Sequence, residues 1–148
     1  MVRKIIGSTK MIDKKWPNNI KVAQIRIARP TNKFEEIKKF YGEGLGLPQI
    51  GSFKEHEGYN GVMFGLPGHD YHLEFTSHTS VSPYPAPTKD NLLVLYLPDK
   101  SDIEKIEKRL NAMGCFPVEP ENPYWKEKGL TFEDPDGWRV VLMNTAGI

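Results

Sequence analysis

An α+β fold built from one unit repeated twice is what this sequence predicts, on three observations. The order strand, helix closed by Gly, further strands occurs once before residue 80 and again after residue 90. Each helical stretch carries a single apolar stripe, which needs a sheet to cover it. Each copy also closes on a strand placed just after a turn signal. Internal repetition constrains the architecture before any single residue is interpreted.

Residues 22–29 alternate, with Ala23, Ile25 and Ile27 set apart from Gln24, Arg26 and Ala28, and read as the opening strand. Phe34, Ile37, Phe40 and Tyr41 then recur at helical spacing, while Glu35, Glu36, Lys38 and Lys39 take the other face. Gly44 and Gly46 stop this helix, Gly46 in the left-handed C-cap role that suits glycine. After the turn signal Pro67 and Gly68, residues 71–77 form a strand in which Leu73 and Phe75 point away from His72, Glu74 and Thr76. The helix is expected to cover the apolar set of these strands, which turns the polar set to the opposite face. Residues 82–88 hold Pro83, Pro85 and Pro87, which neither donate to a ladder nor continue a helix, and read as a linker.

The second copy opens with the apolar strand at 92–97. Ser101 followed by Glu104 predicts a capping box for a helix whose Ile103, Ile106, Leu110 and Met113 share one stripe. Gly114 closes it, and Cys115 beyond it reads as an apolar filler. The turn Asp134, Pro135, Asp136, Gly137 then leads into the last strand, 138–144, and Gly137 supplies the positive φ that a hairpin turn requires.

A length of 148 residues suits one domain with a core of ordinary size. A net charge of +1, with both signs interspersed, gives no basic stripe for nucleic acid. One cysteine permits no internal disulfide, which points to a cytoplasmic protein. No stretch approaches the roughly 20 apolar residues of a membrane span, and the start of the chain lacks the apolar segment of a signal peptide. Nucleic acid and membrane are therefore not expected partners.

Three segments together carry a family resemblance: Phe40 and Tyr41 running into Gly44, Leu45, Gly46 and Leu47; the strand from Tyr71 to Phe75; and the run from Phe132 through the Asp-Pro-Asp-Gly turn to Trp138. In that order and spacing the chain resembles the vicinal oxygen chelate superfamily, which includes glyoxalases, extradiol dioxygenases and bleomycin-resistance proteins, over about residues 20 to 145. The resemblance implies tandem βαβββ modules, about 21–80 and 90–146, whose curled mixed sheets enclose a cavity. It also implies a single domain over 21–148, after a polar lead-in at 1–20, and commonly a homodimer.

In metal-dependent members of that superfamily the ligands come from the first and last strands of each module. Matching by strand position places them here at Arg26, Glu74, Leu93 and Val141, with 48 positions separating each pair. Glu74 alone is a ligand-type residue, whereas a catalytic metal takes about three protein ligands. No cofactor is expected. A divalent metal would need Gln24 or His72 to join Glu74, which requires a register slipped by two.

The cavity so implied is polar on one side, through Gln24, Arg26, His72 and Glu74, and apolar on the other, through Leu93, Leu95, Val141 and Met143. Such walls suit a small organic ligand. The planar fork of Arg26 either holds a carboxylate or phosphate of that ligand, or pairs with Glu74. His72 and Glu74 are the candidate catalytic acid and base, with a hydrogen-bonded structural role as the alternative for His72. Tyr124 and Trp125 either stack on a flat ligand at the cavity mouth or staple their loop to the sheet. The Tyr59, Asn60, Gly61 segment poses the same question, and His56, His69 and His78 are assigned to the surface. Three functions are consistent with these residues: a metal-independent protein that binds a small anionic or aromatic ligand, as in resistance or sequestration; a metal-dependent glyoxalase-like lyase or dioxygenase using Glu74 with His72 or Gln24; and a metal-free acid–base enzyme using Glu74 or His72.

Overall fold

The predicted order of elements is present in a computed structural model that describes residues 20–66, 68–80 and 84–148. The lead-in before residue 20, Pro67 of the turn signal, and Ser82 and Pro83 of the linker lie outside the described residues. Strands β1 (Ile25–Pro30), β2 (Gln49–His56), β3 (Tyr59–Gly65) and β4 (Tyr71–His78) form one sheet in the order β1-β4-β3-β2. β1 runs parallel to β4, and the other pairs are antiparallel. Helix α1 (Phe34–Lys38) continues as a π-helical turn, Lys39–Gly44. The second copy supplies β5 (Leu92–Tyr96), α2 (Lys100–Ala112), β6 (Gly129–Glu133) and β7 (Arg139–Met143), with its sheet in the order β5-β7-β6.

The first copy is a complete βαβββ unit, whereas the strand expected after α2 survives only as a single bridge between Val118 and Thr131. Pro117 and Pro120 explain this, since neither can donate an amide to a ladder on either side of Val118.

Both copies bury their helix-facing sides in one core. Ile37, Phe40 and Tyr41 from the α1 segment meet Ile103 and Leu110 of α2, Val62, Phe64, Leu73 and Phe75 of the first sheet, and Phe132, Val140 and Leu142 of the second. Each such side chain contributes roughly 1.5–3 kcal/mol by leaving water. The wider π turn, marked by the Leu45 amide donating to the Phe40 carbonyl at 2.9 Å, lets the adjacent Phe40 and Tyr41 both enter that core. Gly46 closes the segment at φ +79°, as predicted, and Arg109 of α2 donates to the Gly44 and Leu45 carbonyls at 3.0 and 3.1 Å.

A buried pair also ties the copies together. The Tyr41 hydroxyl donates to Asp134 Oδ2 at 2.7 Å, while Asp134 Oδ1 accepts from the Asp136 and Trp138 amides at 2.8 and 3.0 Å. Burial pushes the Asp134 carboxyl above the ordinary carboxylate value, against the pull of these hydrogen bonds. Burial, with the Asp134 charge beside it, raises Tyr41 well above its ordinary value, so the phenol stays a neutral donor.

Two local expectations change. The N-cap of α2 is Asp99, whose Oδ1 accepts from the Ser101 amide at 2.8 Å, in place of a box built on Ser101 and Glu104. β1 is an edge strand that α1 does not cover, and Ile25 and Ile27 are 53% and 39% exposed.

Candidate functional site

Parallel pairing sets the site. β1 matches β4 with Arg26 opposite His72 and Ala28 opposite Glu74, so the polar sets of both strands share the face turned away from the core. On that face Arg26 Nε donates to His72 Nε2 at 2.9 Å, and Arg26 Nη1 forms an ion pair with Glu74 Oε2 at 3.2 Å. The Arg26 side chain is 48% exposed and that of Glu74 10%, so a half-open guanidinium covers a nearly buried carboxylate. Because Nε2 accepts, His72 is a neutral imidazole with its proton on Nδ1, and that buried Nδ1 has no partner among the described residues.

The rest of the face comes from β2 and β3, and sequence reasoning missed it. Met63 lies opposite Glu74, Gly65 opposite His72, and Gly61 opposite Thr76, while Val62 and Phe64 point into the core. The glycines make room for apolar side chains laid across them. A Cβ at Gly61 would run into the Phe53 ring, and one at Gly65 would meet Ile50 Cγ2 at 2.9 Å. Phe53, Met63 and Ile50 thus form an apolar lane beside the polar trio. The signal was present in the alternation of small or flexible residues with Val62 and Phe64 along 59–65.

Gln24 lies just before β1 and is exposed, outside the trio. On the second sheet, Leu93 and Leu95 do not line the inner face. They pack on the core, and Leu92 and Val94 take the face shared with Val141 and Met143. The reason is a register offset of one: Val94, not Leu93 or Leu95, is the partner of Val141, and one residue flips a strand's side chains to the other side. Val141 and Met143 are themselves buried with Trp125, so among the described residues neither faces solvent. A 3₁₀ turn, Pro123–Trp125, places that ring, with Asn122 Oδ1 accepting from the Tyr124 amide at 3.0 Å. Trp125 therefore staples its loop to the sheet, and Tyr124 stands edge-on to it with ring centroids 4.8 Å apart. Tyr59 packs against His78 at the far end of β3 and β4, away from Arg26.

The trio does not fit a metal. Glu74 and the Nε2 of His72, the groups a cation would need, are both turned to the guanidinium of Arg26, a permanent cation. Among the described residues, no group of three or more His, Cys, Asp or Glu side chains could hold a metal ion. A groove of about 390 Å³ between α2 and β6, lined by Lys100, Glu104, Glu107 and Lys128 among others, contains none of the candidate residues. Among the described residues, no helix is long and apolar enough to cross a membrane.

Comparison with known proteins follows the two copies. The family described as the YycE-like N-terminal domain matches residues 25–76, and the YycE-like C-terminal domain matches residues 90–144. The uncharacterized protein YycE of Bacillus subtilis strain 168 is 54% identical over 131 residues, covering 88% of this chain and 94% of that one. A crystal structure of a YycE protein of unknown function from Bacillus subtilis superposes with a TM-score of 0.84 at 53% identity, covering 91% of this chain and 98% of that one. Two more distant structures share the fold. Glyoxalase I of Leishmania major has a TM-score of 0.64 at 20% identity, covering 84% of this chain and 87% of that one. TnmS3, an antibiotic binding protein from a Streptomyces species, has a TM-score of 0.58 at 21% identity, covering 84% and 97%.

Proposed function

The chain belongs to the YycE-like family of the vicinal oxygen chelate superfamily, and from that premise we propose that it binds a small organic molecule without a metal. The site is the inner face of the first sheet, over Arg26, His72 and Glu74. One observation carries this reading: a single guanidinium engages both Glu74 and His72, which gives the face fixed hydrogen-bonding groups in place of cation ligands. Apolar side chains beside a few directed polar groups are the usual make-up of a small-molecule site. The same fold carries an antibiotic binding protein, so sequestration is a role it can serve.

A second reading draws on Glu74. Its Oε2 faces Arg26, while its Oε1 has no partner among the described residues and is free to take a proton from a bound molecule. Sequestration predicts binding without turnover, and the acid–base reading predicts turnover that Glu74→Gln abolishes while binding survives.

The proposed protein is cytoplasmic and works as a homodimer, supported by its lone cysteine and by the uncovered edge of β1. The test of metal independence is elemental analysis of protein purified without chelator, followed by titration with zinc, nickel, manganese and iron while thermal stability is read. The expected result is no stoichiometric metal and no shift. About one equivalent with a saturable rise in midpoint would overturn the reading.

A further inference from the structure

We propose that the molecule recognised at this face carries a neutral head with an acceptor beside a donor, as in an amide or lactam, on a flat apolar body. This rests on the reading of the Arg26 face as a metal-free organic site.

The charge of Arg26 is already spent. Glu74 lies 3.2 Å from Nη1, and His72 is neutral because its Nε2 accepts from Nε, so the trio sums to zero formal charge. A carboxylate or phosphate arriving here would stand beside Glu74, and two anions sharing a site disfavour each other.

Apart from the buried Nδ1 of His72, two polar atoms of the trio remain unpaired. Arg26 Nη2 is a donor and Glu74 Oε1 an acceptor, and neither has a partner among the described residues. Each shares its carbon with one atom of the Nη1 to Oε2 contact. A carbonyl with an adjacent N–H uses both: its oxygen accepts from Nη2, and its N–H donates to Oε1. A site that pairs both groups of such a head disfavours analogues that leave one unpaired.

The body of the ligand follows from the lane beside the trio. Met63 is in register with Glu74, the Phe53 ring lies over Gly61, and Ile50, 56% exposed, lies over Gly65. Side chains laid across glycines leave a low apolar surface suited to a flat ring system.

The test uses three probes on the full-length protein, followed by amide chemical shifts in two-dimensional NMR: 1-isoquinolone, its N-methyl derivative, and 1-naphthoate. The expected result is saturable shifts for 1-isoquinolone at amides of β1, β3 and β4, with the other two probes at least about tenfold weaker. Glu74→Gln should weaken 1-isoquinolone and narrow its advantage over 1-naphthoate. Naphthoate binding as tightly as isoquinolone at this face overturns the neutral-head inference and leaves the organic-ligand reading in place. Shifts confined to another surface, or no saturable shift with any probe, also overturn the inference. Stoichiometric metal uptake, by contrast, removes the reading on which it rests.

Discussion

Arg26 fixes two neighbours at once: Nε–H sets the tautomer of His72, and Nη1 holds the carboxylate of Glu74. With its Nε2 lone pair engaged, His72 serves the face as a positioned group, which in the acid–base reading leaves Glu74 to carry the proton. The other buried carboxyl, Asp134, has a structural task, and its ionisation opposes folding. Its folded pKa is raised above the unfolded value near 3.9, mainly by burial. The folded state therefore binds more protons than the unfolded state between those two values, so this group lowers stability as pH rises through that window. Asp134→Asn keeps the oxygen that accepts from the Asp136 and Trp138 amides and turns an amide group to Tyr41. Urea denaturation at pH 4 to 7 should show the wild type losing stability relative to the variant as pH rises from the acidic end. A difference that is flat with pH, or of opposite slope, would sink this account. Tyr41→Phe removes the hydrogen bond to that carboxylate and should cost about 1.5–3 kcal/mol at neutral pH.

The second sheet depends on the Pro123–Trp125 turn, because Trp125 packs with the buried Val141 and Met143, apart from the core that holds α2. Trp125→Ala should cost about 3–5 kcal/mol in urea denaturation and raise binding of a hydrophobic dye, since it strips the cover from two buried side chains. Loss below about 1 kcal/mol with no added dye binding would show that the face has another cover. The two sheets differed in how far the sequence revealed them, and composition explains why. β1 and β4 alternate polar and apolar residues, so the shared face of Arg26, His72 and Glu74 was readable from period alone. β5 is apolar throughout, Leu92 to Tyr96, so periodicity carried no register, and only pairing with β7 reveals that Leu92 and Val94 share the face of Val141. The edge position of β1 was equally hidden, because the alternation of Ile25 and Ile27 shows which side they take but not whether anything covers it. The apolar lane of Ile50, Phe53 and Met63 was missed because it depends on long-range pairing of β2 with β3 across glycines.

At the scale of the molecule, each sheet keeps its first strand at an edge, β1 in one and β5 in the other. An edge strand offers a row of unpaired amides and carbonyls, and monomeric proteins usually blunt such edges with charge, proline or a covering element. β1 ends in Pro30 and carries Arg26 and Arg29, yet Ile25 and Ile27 stand 53% and 39% exposed, with Val22 48% exposed just before them. The half-open guanidinium of Arg26 projects from the same strand on the opposite face, so a partner along this edge stands beside the proposed site. A second copy of the chain is the occupant we propose, because β1 leaves both its ladder groups and two apolar side chains uncovered. Light scattering after size exclusion should then give twice the 16.9 kDa chain mass. Ile25→Lys with Ile27→Lys should shift that mass to the single chain while circular dichroism stays unchanged, since neither residue belongs to the buried core. A wild-type mass equal to one chain, or a double variant that stays dimeric, would remove β1 from the interface and leave the Arg26 face a site complete within one copy.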